Sequence, residues 1–330
     1  MVAENIKIKD IIGVAPIVEE KTVTPSTKPE KWVMPTCLVM NQTFQGDFDD
    51  EQEHNVVLIK ARRGHYGDYS ANVHLRYQNI SDAIPRRLTR YDKVVYGAVV
   101  SLYVHHKEQS TLDDEVIYIT PQMIYRTFRG DWTPRLPPSE AESIVKSLHK
   151  MMSVKIEVIP QWKKEDLTLL NKNGDRYSGL SSKGCLLNGT WVNVIFKGGY
   201  RLDCLRLNKI PILYRLGDKL NHVARQDIAL MKSTRRYTPL IPQLRQYMLE
   251  RIATIKGNNL CKNRYILFDT IYQNILPENP SDEQLESVRT MTRAALADFK
   301  EGKFITDYKV CRGENGKYTK IEIQLGKSKI

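Results

Sequence analysis

The sequence predicts an α+β chain in which one supersecondary unit (helix, short strand, helix, helix, β-hairpin) occurs twice behind an irregular N-terminal extension. Three observations carry this expectation. Helical apolar stripes start at recognisable caps in the same order in both halves, and Gly-rich dipeptides separate alternating strands after each third helix. The first 54 residues, in contrast, lack a sustained period. A helix-turn-helix core closed by a β-wing has this order, so the chain reads as two winged-helix domains in tandem.

The N-terminal extension contains Thr-Pro-Ser-Thr-Lys-Pro-Glu (24–30) and the acidic run Gly46–Glu53, which suggest a flexible acidic tail over 1–54. Strand-like runs Asn55–Ala61 and Ala71–Tyr77 follow. Thr89 and Asp92 form a capping box, and Val94, Val95, Ala98, Val99, Leu102 and Tyr103 predict a mostly buried helix of about fifteen residues. After the short strand Val116–Ile119, Thr120 at the N-cap with Pro121 behind it starts a second helix. Gly130 and the proline-rich 134–138 end it. Ser139 is expected to cap a third helix with Ile144, Val145, Leu148, Met151 and Met152 inward. Alternating segments then run to Leu207, with Asn173-Gly174, Asn188-Gly189 and Gly198-Gly199 as hairpin turns.

The order returns in the last third. A long helix from Pro239 to Ile255 precedes Tyr265–Ile275, which reads as strand into short helix. Ser281 opens a helix with Leu285, Val288, Met291, Ala295, Leu296 and Phe299 on one face. Ile305–Val310 and Tyr318–Leu325 flank the turn Gly313–Gly316. Ile124-Tyr125-Arg126 precedes Ile271-Tyr272-Gln273 by 147 positions, and Ser139 precedes Ser281 by 142. The matched order of elements is the evidence for a repeat, rather than these few letters. The expected boundaries are a tail over 1–54, a first winged helix with an extended β-wing over 55–215, a basic linker over 216–238 and a second winged helix over 239–330.

Charge points to the class of partner. The chain carries 50 Lys and Arg against 38 Asp and Glu, a net +12, while residues 1–54 hold 5 basic and 10 acidic residues. The remaining 276 residues therefore stand at +17, a field that attracts polyanions, nucleic acid foremost. The five cysteines show no C-x-x-C pair, which argues against a zinc finger or disulfide scaffold and suits a reducing cytoplasm. The longest apolar stretch, Val94–Val104, is about half a membrane span, so neither signal peptide nor anchor is expected.

No motif supports catalysis. Gly313–Lys317 is too short for a phosphate-cradling loop, and His105 and His106 are adjacent, so on a helix they diverge by about 100°. G-x-S-x-G and H-E-x-x-H are both missing. The chain is expected to be non-enzymatic, without metal or cofactor.

Candidate DNA contacts follow from the predicted faces. Opposite the apolar stripe of the first third helix lie Ser143, Lys146, Ser147 and Lys150, with Arg135 in the turn before it. Its counterpart carries Arg289, Thr290 and Arg293, with Lys300 farther along. The arginine fork takes both O6 and N7 of guanine, so base reading goes to Arg289 and Arg293, and phosphate contacts to the lysines. The competing reading is a solvated helix in which Glu283 and Glu286 pair with those arginines, and Glu140 and Glu142 dilute the first helix likewise. Around the wings and linker, Lys163, Lys164, Arg176, Arg235, Arg236, Lys309, Arg312, Lys317 and Lys320 are expected on phosphates.

Short stretches also resemble a known family. Tyr91-Asp-Lys-Val-Val-Tyr96, Ile117-Tyr-Ile-Thr-Pro-Gln-Met-Ile-Tyr-Arg126 and Arg264-Tyr-Ile-Leu-Phe-Asp-Thr-Ile-Tyr272 are similar to the winged helices of replication-initiator-like proteins from plasmids and mobile elements of Gram-positive bacteria. The resemblance spans 85–325 in element order and rests on fold-determining residues. It implies tandem winged helices that bind repeated duplex sites at an origin, as monomer or homodimer, without catalysis and with host replication proteins as further partners.

The expectation is thus a cytoplasmic, sequence-specific double-stranded DNA-binding protein, foremost a replication initiator. A transcriptional repressor of the same architecture and a DNA-nicking enzyme (relaxase or endonuclease) are the alternatives.

Overall fold

The computed structural model describes residues 7–23, 27–36, 40, 43–44, 52–59, 68–77, 87–110, 116–161, 182–219, 222–257, 264–313, 316 and 318–325. It is a mixed α+β fold that divides into two compact units, Met1–Arg225 and Gln226–Ile330.

In the first unit the chain runs α1 (Ile8–Ile12), β1 (Ile17–Val23), β2 (Lys31–Pro35), β3 (Gln52–Ile59), β4 (Asp68–Tyr77), α2 (Arg90–Gln109), β5 (Ile117–Ile119) and α3 (Pro121–Arg129). It continues through α4 (Pro138–Ser153), β6 (Val154–Gln161), β7 (Ser182–Cys185), β8 (Gly189–Phe196), β9 (Arg201–Leu207), α5 (Ile212–Lys219) and β10 (Val223–Asp227). Helix α2 forms the centre. Its N-terminus is closed by the expected capping box, in which Thr89 N–H donates to Asp92 Oδ2 at 2.6 Å and Asp92 N–H to Thr89 Oγ1 at 3.3 Å. From Val94 to His105 every residue of α2 is buried, because α3, α4, β2 and β5 cover it on different sides. Tyr96 Oη accepts from the backbone N–H groups of Leu213 and Tyr214, which anchors α5 on the same helix.

Thr120 caps α3 with Pro121 in its first turn, and Gly130 ends it in the left-handed region, as the sequence implies. Helix α4 starts differently from expectation. Pro137 occupies the N-cap, Pro138 the first turn, and no side chain caps the helix; Ser139 instead accepts from Ser143 Oγ through its carbonyl. Pro138 has no N–H to satisfy and its fixed φ suits the first helical position, which puts Ser139 inside the helix, beyond the cap position.

Two sheets of four strands complete the unit, ordered β1-β8-β9-β5 and β3-β4-β6-β7, and a two-stranded pair joins β2 to β10. The expectation of a flexible tail over 1–54 is corrected for its described residues. Strand β1 pairs in parallel with β8, Ile17 opposite Val192, and Trp32, Val33 and Met34 of β2 are buried beside α2. Val33 N–H donates to Ser101 Oγ at 2.8 Å, and Ser101 donates on to Gly97 O. A five-residue strand is too short to show a period, although its apolar Trp-Val-Met core provides the burial. Across the first sheet, Glu19 of β1 accepts from Tyr118 Oη at 2.8 Å and pairs with Arg206 of β9. The described part of the stretch expected as a basic linker holds the end of α5, β10 and a 3-10 turn over Ile228–Met231, followed by irregular residues 232–239.

The second unit comprises that turn, α6 (Leu240–Gly257), β11 (Tyr265–Leu267), α7 (Phe268–Ile275), α8 (Asp282–Glu301), β12 (Asp307–Arg312) and β13 (Tyr318–Gln324). Its core joins Leu244, Met248, Ile252, Ile271, Val288, Leu296, Phe299 and Ile321, all buried. Ser281 caps α8 in a capping box with Gln284. Arg245, 1% exposed, donates to Leu230 O at 2.7 Å and to Asp298 Oδ2 at 2.6 Å, and its guanidinium lies 5.0 Å from the Phe299 ring. These partners satisfy a cation that burial alone would make very costly.

One three-strand antiparallel order recurs in the two units, although in the first β8 also pairs in parallel with β1. The short strand after α2 or α6 pairs antiparallel with the second strand of the hairpin, β5 with β9 and β11 with β13, leaving β8 and β12 on the far side.

Candidate nucleic-acid interface

In the second unit, α8 and the β12–β13 hairpin are joined by arginines gathered on one tyrosine. Arg293 of α8 stands 4.4 Å from the Tyr318 ring centroid and Arg312 of β12 stands 4.6 Å from it. Arg289, one turn before Arg293, lies 5.7 Å from the same ring. Arg312 Nη2 also donates to Tyr318 Oη at 2.6 Å. The Arg312 hydrogen bond, helped by Arg293, holds the Tyr318 hydroxyl below the usual tyrosine value. Arg289 is fixed further by Tyr272 of α7, whose hydroxyl accepts from Nε at 2.7 Å, and by Glu286, which pairs with Nη1 at 3.0 Å. Burial pushes the Tyr272 hydroxyl up, against the opposing effect of Arg289.

Of the three guanidinium groups only that of Arg289 is paired with a carboxylate, Glu286. No carboxylate pairs with Arg293 or Arg312 among the described residues. Aromatic faces hold arginines in place while leaving their N–H forks open toward acceptors, which suits them to phosphates or guanine edges. The structure brings together Arg289, Arg293 and Arg312, taken from two different elements. Helical spacing foretold the first two. The tyrosines that position them carry no sequence signal beyond their composition.

The other predicted contacts of this unit are more heavily engaged. Thr290 Oγ1 donates to Glu286 O, Lys300 pairs with Asp307 at 2.9 Å, and Lys320 with Glu322 at 2.8 Å. Lys309, Arg235 and Arg236 are exposed. Lys163, Lys164, Arg176 and Lys317 lie outside the described residues.

The first unit corrects part of the predicted helix face. Lys150 is buried, with Nζ 2.9 Å from Asp92 Oδ2 and 2.9 Å from Arg87 O, and Ser147 is 2% exposed. Neither projects toward a ligand, because α1 and α2 also pack on α4 and widen its inward face beyond one apolar stripe. Lys146 is at the surface but pairs with Glu142 at 2.5 Å, and Ser143 bonds within its own helix. Arg135 is exposed on a turn pinned by Gln122 and Arg126, which both donate to Pro134 O.

Among the described residues no three His, Cys, Asp or Glu side chains gather as metal ligands, and no helix is long and apolar enough to cross a membrane. No protein-family model matches the chain, and no curated protein does. Its fold is similar to two crystal structures of domains 2 and 3 of RctB. They are 14% and 13% identical with TM-scores of 0.44 and 0.43, covering 88% and 87% of this chain and 96% of each of those chains.

Proposed function

We propose that the protein is a non-enzymatic, sequence-specific double-stranded DNA-binding protein of the replication-initiator type, built on two winged-helix units. In this reading α8 enters the major groove and the β12–β13 hairpin follows the adjacent phosphates. The observation that carries it is the arginine cluster on Tyr318. It gathers three cations, only one of them paired with a carboxylate, where α8 meets the hairpin, the region through which a winged helix meets DNA. The +17 field of residues 55–330 supports the same partner.

The test is binding of the purified chain to duplexes drawn from the DNA flanking its own gene, titrated with salt against random duplex. A preferred, repeated site with a steep salt slope supports the initiator reading. Absence of preference removes sequence specificity, and absence of binding removes DNA as the partner. Repressor and initiator separate by whether the site lies in a promoter or supports replication of a plasmid carrying it. Metal-dependent nicking of that plasmid would overturn the non-enzymatic assignment.

A further inference from the structure

Strand β1 is the outer strand of its sheet and runs parallel to β8. Ile17, Val18 and Glu19 stand opposite Val192, Asn193 and Val194, and Thr22 and Val23 opposite Ile195 and Phe196. The register shifts in between, so Glu20 and Lys21 face no partner residue on β8. Ile17 is 55% exposed and Val18 65%, so the two apolar residues that open the strand bury little of their area. Of the side chains described on β1, Glu19 is the anchored one. One of its carboxylate oxygens accepts from Tyr118 Oη of β5 at 2.8 Å, and the other pairs with Arg206 of β9. The Glu19 side chain is only 14% exposed there.

A segment that buries little apolar surface opens at a small fraction of the global unfolding free energy. Interrupted parallel pairing also holds less firmly than a continuous antiparallel ladder. Strand β1 is therefore the part of this sheet that detaches first. It uncovers the N–H and C=O groups along the edge of β8, together with two donors that converge on one carboxylate. Those donors, Tyr118 and Arg206, lie opposite each other on the paired strands β5 and β9, so the receptor persists without β1. Main-chain bonds give an open edge affinity for extended segments, and a side-chain receptor beside it selects among them.

We infer that the β8 edge, with Arg206 and Tyr118, is a strand-addition site for an extended, carboxylate-bearing segment of a partner protein, and that β1 fills this site in cis. Arg206 calls for an anion, and a row of backbone amides calls for a strand, which a nucleic acid does not offer. The site is thus separate from the DNA-binding reading. Strand β1 defines the ligand: a parallel strand with a glutamate opposite Val194. As a tethered competitor it acts at an effective concentration on the order of millimolar, so a partner enters where it is itself concentrated or where β1 has been loosened.

The test uses the full chain and a fluorescein-labelled peptide with the sequence Pro16–Val23, read by anisotropy. Glu19→Ala, which loosens β1 and keeps Arg206 and Tyr118, is expected to bind the peptide about tenfold more tightly than wild type. Adding Arg206→Ala to that chain, or Glu19→Gln to the peptide, cancels the gain. In wild type, hydrogen exchange should release the β1 amides well before those of β9. Amides of β1 that exchange only together with those of β9 overturn the releasable strand, whether or not the variants fold. No peptide binding to Glu19→Ala, or equal binding of the Gln peptide, overturns the carboxylate-selective site. A Glu19→Ala chain that dimerises with concentration and is returned to monomer by the peptide overturns the partner protein in favour of β1 from a second copy. DNA affinity is measured in parallel, and its absence removes the DNA reading without changing any of these outcomes.

Discussion

Lys150 Nζ sits 2.9 Å from Asp92 Oδ2, and both side chains are buried at 7% and 2% exposure. Asp92 Oδ2 also accepts from the N–H and Oγ of Thr89, so one oxygen serves the cap of α2 and the clamp from α4 together. A lysine that sequence places on a DNA-reading face therefore ties two helices of the core.

Lys150→Ala leaves a buried carboxylate without its cation, which costs about 3–5 kcal/mol. The expected result is a lower urea midpoint for the first unit with unchanged DNA affinity per folded molecule. A loss of affinity at unchanged stability would return Lys150 to the interface.

Arg293 has no carboxylate partner among the described residues, whereas Arg289 is held by both Tyr272 and Glu286. Arg289→Ala and Arg293→Ala are each expected to cost about 1–3 kcal/mol on the preferred site. Equal losses on random duplex would assign these arginines to phosphate. Lys317→Ala should weaken all sequences alike and lower the salt slope by about one.

The tyrosines should titrate on both sides of their ordinary value. Arg312 holds the Tyr318 hydroxyl low, and burial followed by Glu19 pushes Tyr118 up to about 12. A folded value below the unfolded one, near 10, means that Tyr318 favours the fold above pH ~10 and loses that contribution as pH falls through its folded value. For Tyr118 the sign reverses: its contribution is complete below pH ~10 and is lost as pH rises toward 12. Ultraviolet titration should resolve Tyr318 as early and Tyr118 among the late tyrosines. Arg312→Ala should remove the early one and Glu19→Gln should bring Tyr118 down.

Trp32 is fully buried in β2, within a stretch that composition marks as a tail. Trp32→Ala is expected to destabilise the first unit by about 3–5 kcal/mol, read by urea unfolding. An unchanged midpoint would mean that β2 does not hold the core.

What the sequence made legible was local. Thr89 with Asp92, Thr120 with Pro121 and Ser281 as a helix opener act within one helical turn, and all three caps form as read. The same holds for the i, i+4 pair Arg289 and Arg293, which share a face through helical geometry alone. What escaped depends on distant partners. Asp92 and Lys150 are 58 positions apart, and Glu19 and Arg206 are 187 apart. Nothing near Lys150 distinguishes it from the surface lysine at Lys146. Ser139 failed as a cap for a local reason, since Pro138 outcompeted it.

The pairing of Ile17 with Val192 sets the order in which the molecule is completed. Strand β1 is synthesised well before β8, so its hydrogen-bonding edge is among the later parts of its unit to be made. During synthesis that strand waits without a partner, and closing so long a loop is slow as well as entropically costly. The second unit pairs β11, β12 and β13 within a short stretch and has no such delay. A nascent chain halted before β8 therefore leaves the backbone edge of β1 unpaired, which gives chaperones a defined target and aggregation a defined origin.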